Sequence, residues 1–294
     1  MNAFITFWKF TRPHTIIGST LSICSLYLLA FFTQPLNLVT NQIFLLSLLS
    51  ALGCNVFITG LNQWSDVEVD KINKPWLPIA SGELSKSNAL IIVISSGIIS
   101  LLAAALCSPS FLLLISFILF IGFAYSMPPL KFKRRHIAAA SAITLVRGLL
   151  VNLGFYLHFI GAVWYSGDFP EVVIPLIIFV SAFSLGIAWF KDIPDTKGDE
   201  GKFGTLAVIQ GRKYAFYAGV FVVSPAYLYL IFLGITQFFP QSIFALVIHS
   251  IALILFIVSS IRLDLSDDKK IKKFYLFFWG LFFLEYLVFP LCFI

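Results

Sequence analysis

Nine stretches of the chain carry almost no polar side chains: approximately residues 14–33, 43–63, 88–107, 110–127, 138–161, 172–190, 214–235, 243–261 and 274–293. Each is close to the ~20 residues that a helix needs to cross the hydrocarbon core of a bilayer. None alternates polar and apolar positions as the strands of a membrane barrel do. A helix satisfies its own backbone polar groups in lipid, whereas isolated strands do not. The pattern therefore predicts an all-α integral membrane protein with nine transmembrane helices.

The polar positions between these runs are not random. Helix two ends in NQWSDVEVDKINKPWLPIASGE (62–83), where Asn62, Asp66 and Asp70 recur every fourth residue. Helix six ends in FKDIPDTKGDEG (190–201), where Asp192, Asp195 and Asp199 stand at i, i+3 and i+7. An even number of spans separates the two clusters, so they share one side of the membrane. This placement predicts one domain over 1–294, built as two parallel four-helix repeats, about 1–137 and 138–262, plus an extra helix at 274–293. Sites in proteins built from repeats commonly lie where the repeats meet. Pro175, Pro225 and Pro290 sit in or near spans as candidate kinks.

Composition supports the class. Only 12% of the 294 residues are charged, against about 25% in soluble chains, and the mean hydropathy is +0.95. The net charge of +6 does not point to nucleic acid, because the basic residues follow the topology. Lys9 and Arg12 precede helix one. Lys71, Lys74 and Lys86 follow helix two. Lys131, Lys133, Arg134 and Arg135 follow helix four. Lysines and arginines recur at 191–213 and 262–273. The alternate connections carry no Lys or Arg, and their only charges are Asp168 and Glu171. Basic residues mark the cytoplasmic side, so the N-terminus and the motif loops are expected there. The first residues are too short for a cleaved signal. Cys24, Cys54, Cys107 and Cys292 lie in apolar runs with no ligand spacing and read as buried small residues.

On a continuous helix, steps of four residues keep side chains on one face, about 6 Å apart along the axis. Neighbouring carboxylates near a low-dielectric boundary require a compensating cation. Oxygen ligands without His or Cys favour a hard ion, and Mg²⁺ characteristically uses one or two carboxylates plus substrate phosphates. Two such clusters on one side describe a clamp for a metal-bound diphosphate. Glu68 and Glu200 fall off these faces and read as solvated. Lys74, Lys131 and Lys191 stand within motifs rather than in runs, and a diphosphate needs such point charges. Arg147 is the only basic residue inside a span, with Asn152 five residues on. A charge within the bilayer marks a site or an ion pair by default. Its partner is either an acidic substrate group or Glu285 in helix nine. The histidines show no ligand spacing; of these, His14 opens helix one on the motif side. A cation transporter is the competing class, but its carboxylates belong near the bilayer midplane rather than at one interface.

The motifs N-x₃-D-x₃-D at 62–70, YSMPPLK at 125–131 and D-x-x-D-x₃-D at 192–199 resemble the UbiA superfamily of intramembrane aromatic prenyltransferases, over nearly the whole chain. NKPWLPIASGELS, VRGLLVNLGF and FKDIPDTKGDEGKFGTLAV resemble the branch that alkylates homogentisate on the tocopherol (vitamin E) route. The chlorophyll-synthesising branch has an acid and an arginine where this chain has Lys74 and Leu77. The hydroxybenzoate branch has arginines near Lys71 and Lys74. The resemblance implies Mg²⁺, a phytyl or other prenyl diphosphate as donor and homogentisate as acceptor, in a bacterial inner or thylakoid membrane. It implies that Asp66, Asp70, Asp192, Asp195 and Asp199 are catalytic and metal-binding. It further implies that Asn62, Lys74, Tyr125, Lys131 and Lys191 serve the diphosphate, with Arg147 and Asn152 in the subfamily stretch.

Overall fold

The computed structural model describes residues 3–161 and 170–294; Asp168 lies outside them. The described residues form helices α1 (Ala3–Phe10), α2 (Pro13–Thr33), α3 (Asn41–Ser65), α4 (Val67–Asn73), α5 (Lys86–Ala105), α6 (Pro109–Ser126), α7 (His136–Thr144) and α8 (Val151–Phe159). They continue as α9 (Ile174–Asp192), α10 (Thr196–Asp199), α11 (Leu206–Ile209), α12 (Arg212–Ile235), α13 (Ser242–Ile261) and α14 (Asp268–Val288). Among the described residues, nine helical segments are long and apolar enough to cross a membrane. All nine coincide with the runs read from the sequence. α7 and α8 form one span through a π-helical turn at Leu145–Leu150.

Local signals set the helix starts. Thr40, Ser85 and Ser108 cap α3, α5 and α6 by accepting from Ile43 N, Asn88 N and Phe111 N. These bonds satisfy backbone donors that have no intrahelical partner. α3 and α5 pack through small residues. Ser50 Oγ donates to Ser100 O at 2.9 Å, and Ser100 Oγ returns to Ser50 O at 2.7 Å. Small residues and hydroxyls are what brings helices close in lipid, where hydrophobicity gives no drive. The C-terminal half packs through aromatic rings instead. Phe278 stacks on Phe183 at 4.5 Å and meets Phe190 edge-on at 4.9 Å.

Contacts fix which connections share an end of the bundle. Lys9 pairs with Glu83, His136 N donates to Gly204 O, and Arg212 pairs with Asp268. The N-terminus and the connections after α3, α6, α9 and α13 thus lie together. At the other end, Val39 N donates to Phe159 O and Gln241 N to Cys292 O.

Three expectations change. The 62–70 ladder is not one helix: α3 stops at Ser65, and Asp66 leaves helical geometry at φ −117°, ψ 20°. Ser65 Oγ bonds back to Asn62 O at 3.0 Å, and short polar side chains of this kind compete with the helical ladder. Glu285 pairs with His249 at 3.3 Å rather than with Arg147. Of the candidate kinks, only Pro225 lies inside a helix; Pro175 sits in the first turn of α9, and Pro290 opens a 3₁₀ turn.

Candidate active site

A cavity of about 900 Å³ opens at the motif end and runs into the bundle. Its volume is at the upper end for a small-molecule site. Asn62, Asp66, Asp70, Asp192, Asp195 and Asp199 all line it. Further in, the walls become apolar, with Ile23, Cys54, Ile58, Ile115, Ile118 and Phe155.

The two acidic segments touch directly. Lys74, next to α4, pairs with Asp195 from the other segment. Asn73 Nδ2 donates to Asp199 Oδ1 at 3.1 Å, and its Oδ1 accepts from Gly198 N at 3.0 Å. Gly198 is required for this approach, because a Cβ there would overlap the Asn73 amide. The break at Asp66 lets α4 turn across the mouth of the cavity and reach α10.

Most of the carboxylates are held by lysines. Lys133 Nζ lies 2.6 Å from Asp66 Oδ2 and also donates to Ser65 Oγ at 2.6 Å. Lys191 pairs with Asp192 at 3.0 Å. Asp70 is buried and its Oδ2 has no hydrogen-bond partner. Burial raises the Asp70 carboxyl above its usual range, opposed by Arg12 and Lys74. Asp199 is pushed up to about 7, by burial first and then by Asp192 and Asp195. Burial lowers Lys133 to about 8 against the pull of Asp66.

Among the described residues, no three acidic, histidine or cysteine side chains converge as a protein-only metal cage. The donor set still fits a hard divalent cation shared with a substrate. It is all oxygen, it stands on two adjoining segments, and Asp70 offers a buried oxygen without a partner. Mg²⁺ needs only one or two carboxylates when phosphates complete its shell.

Of the other expected residues, Lys74, Tyr125, Arg147 and Lys191 line the cavity. Lys131 does not; it lines a separate cleft of about 520 Å³ with Trp64, Glu68 and Lys202. Asn152 is fully buried beside the chamber. Its amide donates to Arg147 O at 2.9 Å and Gly148 O at 2.8 Å, and its Oδ1 accepts from Tyr286 at 3.0 Å. It therefore stabilises the π turn that carries Arg147. Glu68 is exposed and pairs with Lys71 at 2.8 Å.

The sequence reading did not single out Lys133 or Arg12 for the site. Arg12 lines the cavity from a left-handed backbone (φ 54°), with Nε buried and unpartnered. Such strain costs about 1–3 kcal/mol and collects at functional sites. Its one sequence signal is its place before Pro13, which disfavours a helical conformation for Arg12. Among the described residues Arg147 also lacks a carboxylate partner, and its Nη1 is buried without a hydrogen bond. Its guanidinium lies 5.1 Å from the Trp279 ring and 5.8 Å from that of Phe282.

A sequence profile of the UbiA prenyltransferase family matches residues 20–282. The chain is 39% identical over 293 residues to a homogentisate phytyltransferase of Synechocystis sp., covering 97% of this chain and 94% of that protein. It is 37% identical over 295 residues to the chloroplastic homogentisate solanesyltransferase of Arabidopsis thaliana, covering 96% and 75%. Among solved structures, a UbiA homolog from Archaeoglobus fulgidus bound to GPP and Mg²⁺ superposes with a TM-score of 0.66, at 19% identity over 97% of this chain and 99% of that one. That last likeness is one of fold. The family profile spans most of the bundle and both acidic segments, and on that ground the chain belongs to the UbiA prenyltransferase family.

Proposed function

We propose that this chain transfers a phytyl group from phytyl diphosphate to homogentisate, releasing diphosphate and CO₂, as the prenylation step of tocopherol synthesis. One observation carries the proposal. Two acidic segments are joined by Lys74–Asp195 and Asn73–Asp199 at the mouth of a chamber whose inner wall carries Ile23, Cys54, Ile115, Ile118 and Phe155. That arrangement suits a molecule with a polyanionic head and a hydrocarbon tail. The similarity to homogentisate prenyltransferases selects the acceptor.

In this reading, Asn62, Asp66, Asp70, Asp192, Asp195 and Asp199 hold Mg²⁺ and orient the diphosphate. When bound, Mg²⁺ neutralises charge on the leaving-group oxygens. Lys74, Lys133 and Lys191 exchange their carboxylate partners for diphosphate oxygens, and Tyr125 stands beside them. The tail lies along Ile23, Cys54, Ile115 and Phe155. Arg147 takes the acceptor's carboxylate, because a buried charge in apolar surroundings needs an opposite one. The charge asymmetry of the loops supports a cytoplasmic location for the motif end.

The test is direct. Purified protein with Mg²⁺, homogentisate and phytyl diphosphate is expected to yield a methyl-phytyl-benzoquinol and CO₂. Asp192→Asn is expected to lose activity by orders of magnitude, and excess chelator to abolish turnover. Full activity in chelator would overturn the metal reading. Prenylation of chlorophyllide but not homogentisate would overturn the acceptor. The near-equal identity to a solanesyl enzyme makes donor length a second reading, decided by a panel of geranylgeranyl, phytyl and solanesyl diphosphates.

A further inference from the structure

His14 begins α2 and lines the chamber. It makes no hydrogen bond among the described residues. Its ring meets Trp279 edge-on with centroids 5.1 Å apart. The guanidinium of Arg147 lies 5.1 Å from the centroid of that same Trp279 ring. His14 and Arg147 therefore share one aromatic neighbour, and Arg12 stands two residues before His14. A free imidazole thus lies within about one small aromatic molecule of an unpaired guanidinium.

We propose that His14 is the base that takes a phenolic proton from the acceptor, so that the acceptor ring attacks as its phenolate. The inference rests on the hydroquinone acceptor proposed above. With the carboxylate on Arg147, the acceptor ring lies along Trp279 and one hydroxyl comes to His14. The hydroxyl proton moves to the imidazole. The ring carbon ortho to that oxygen bonds to the allylic carbon, and the allylic C–O bond breaks with its electron pair leaving on diphosphate. The ring then regains aromaticity: its C–H proton passes to the released diphosphate, and the imidazolium returns its proton to the phenolic oxygen; the acetate carboxylate leaves as CO₂ in a separate step, its bonding electron pair taken up with a proton at the benzylic carbon. Arg12 and Arg147 supply positive charge beside the transient phenolate.

The other candidates in the chamber are already engaged, stand at the diphosphate end, or are themselves phenols. Lys191 is tied to Asp192 at 3.0 Å, and the Tyr286 hydroxyl donates to Asn152 at 3.0 Å. The aspartates stand at the diphosphate end. Tyr125 and Tyr275 are phenols, no better as bases than the acceptor itself. His136 is at the mouth, where its backbone bonds Gly204. General bases contribute about 10²–10⁴ in rate.

The experiment compares wild type with His14→Asn and His14→Phe in nanodiscs with Mg²⁺. The acceptors are homogentisate and ring-fluorinated homogentisates, whose phenols are more acidic. Folding and the donor site are monitored by the thermal shift produced by phytyl diphosphate, which is expected to match wild type. The expected kcat on homogentisate falls at least ~100-fold. The deficit relative to wild type shrinks as the acceptor phenol becomes more acidic, and added imidazole partly restores turnover of His14→Asn. A variant that keeps more than half the wild-type kcat overturns the proposal. So does a deficit of equal size across all the acceptors, which is what a merely structural role gives. Wild type inert toward every hydroquinone acceptor overturns both the function reading and this inference. That outcome is separable from failure of the inference alone, in which wild type turns over and His14→Asn keeps pace.

Discussion

Replacing Arg147 by Met tests the acceptor site. The side chain volume is largely kept, while the charge is removed. The structure sets the folding consequence. Arg147 has no carboxylate partner and its Nη1 makes no hydrogen bond, so the native chain loses only the ring contacts to Trp279 and Phe282. Those contacts contribute about 0.5–2 kcal/mol. Removing an unpaired charge from low-dielectric surroundings returns several kcal/mol of desolvation. The net expectation is a melting temperature in detergent equal to or above that of wild type. Binding is different. Truncating one partner of a buried charge pair costs about 2–5 kcal/mol, which is about 30- to 4,000-fold at 1.4 kcal/mol per decade. KM for homogentisate is therefore expected to rise by at least ~30-fold, while KM for phytyl diphosphate moves less than ~2-fold. Steady-state kinetics with each substrate varied in turn, alongside a melting curve, measures all three quantities. Unchanged homogentisate kinetics in a well-folded Arg147→Met would remove this residue from the acceptor site. A drop in melting temperature reversed by Glu285→Gln would show an Arg147–Glu285 pair, against the His249 partnership observed.

Asn73→Ala cuts two bonds between α4 and α10. At about 1 kcal/mol each, KM for the donor should rise by about 5- to 30-fold, with KM for homogentisate unchanged in the same assay. Asp199 has a carboxyl raised to about 7, so below pH 7 it is mostly protonated and a proton must leave before it ligates. Apparent Mg²⁺ affinity, from activity titrations at pH 6, 7 and 8, should rise with pH and level off above about 7; a flat profile excludes Asp199 as a ligand. In a cysteine-free background, cysteines at 200 and 268 should be labelled from one side of sealed vesicles and a cysteine at 37 from the other. Phytyl diphosphate should tighten Mg²⁺ binding at least ~10-fold by calorimetry, and Mg²⁺ should tighten the donor by the same factor.

The spans were legible because each is a contiguous apolar run, and that property survives any tertiary arrangement. The acidic clusters were legible because acids are rare in this chain. The details that position the chemistry were not. The break at Asp66 arises where Ser65 bonds back to Asn62 and Lys133, distant in sequence, draws the carboxylate in. Lys131 and Lys133 look alike in YSMPPLKFK. Lys131 takes a left-handed φ of 39° before a 3₁₀ turn at Phe132–Arg134. That turn buries Lys133 and leaves Lys131 on the second cleft. A π turn places Arg147, and Asn152 bonds to that turn from its own side chain. Some of these depend on a partner far along the chain, as Asp66 does on Lys133 and Asn152 on Tyr286, and the rest on single backbone turns; periodicity reports neither.

The pairing of the charges at the chamber mouth has a functional consequence. Asp66, Asp192 and Asp195 are each matched to a lysine, so the clamp is close to electrically balanced as it stands. A cation arriving alone meets carboxylates that already have partners. A diphosphate arriving alone meets lysines that already have theirs. Either one must break ion pairs and leave the released member uncompensated near the membrane interface, which is the costly state for a partly buried charge. The two together would allow an exchange, in which carboxylates turn from lysine to Mg²⁺ and lysines from carboxylate to phosphate, with the number of opposite-charge contacts kept. The favourable outcome exists only when both are bound, so each raises the affinity for the other, by the same factor as linkage requires. On this argument Asp70, with one oxygen unpartnered among the described residues, would be the group to offer Mg²⁺ a first contact. Asp70→Asn should therefore weaken Mg²⁺ binding measured without donor, whereas Lys133→Met, by freeing Asp66, should strengthen it and weaken the donor. If Lys133→Met leaves both affinities as they were, the exchange argument fails.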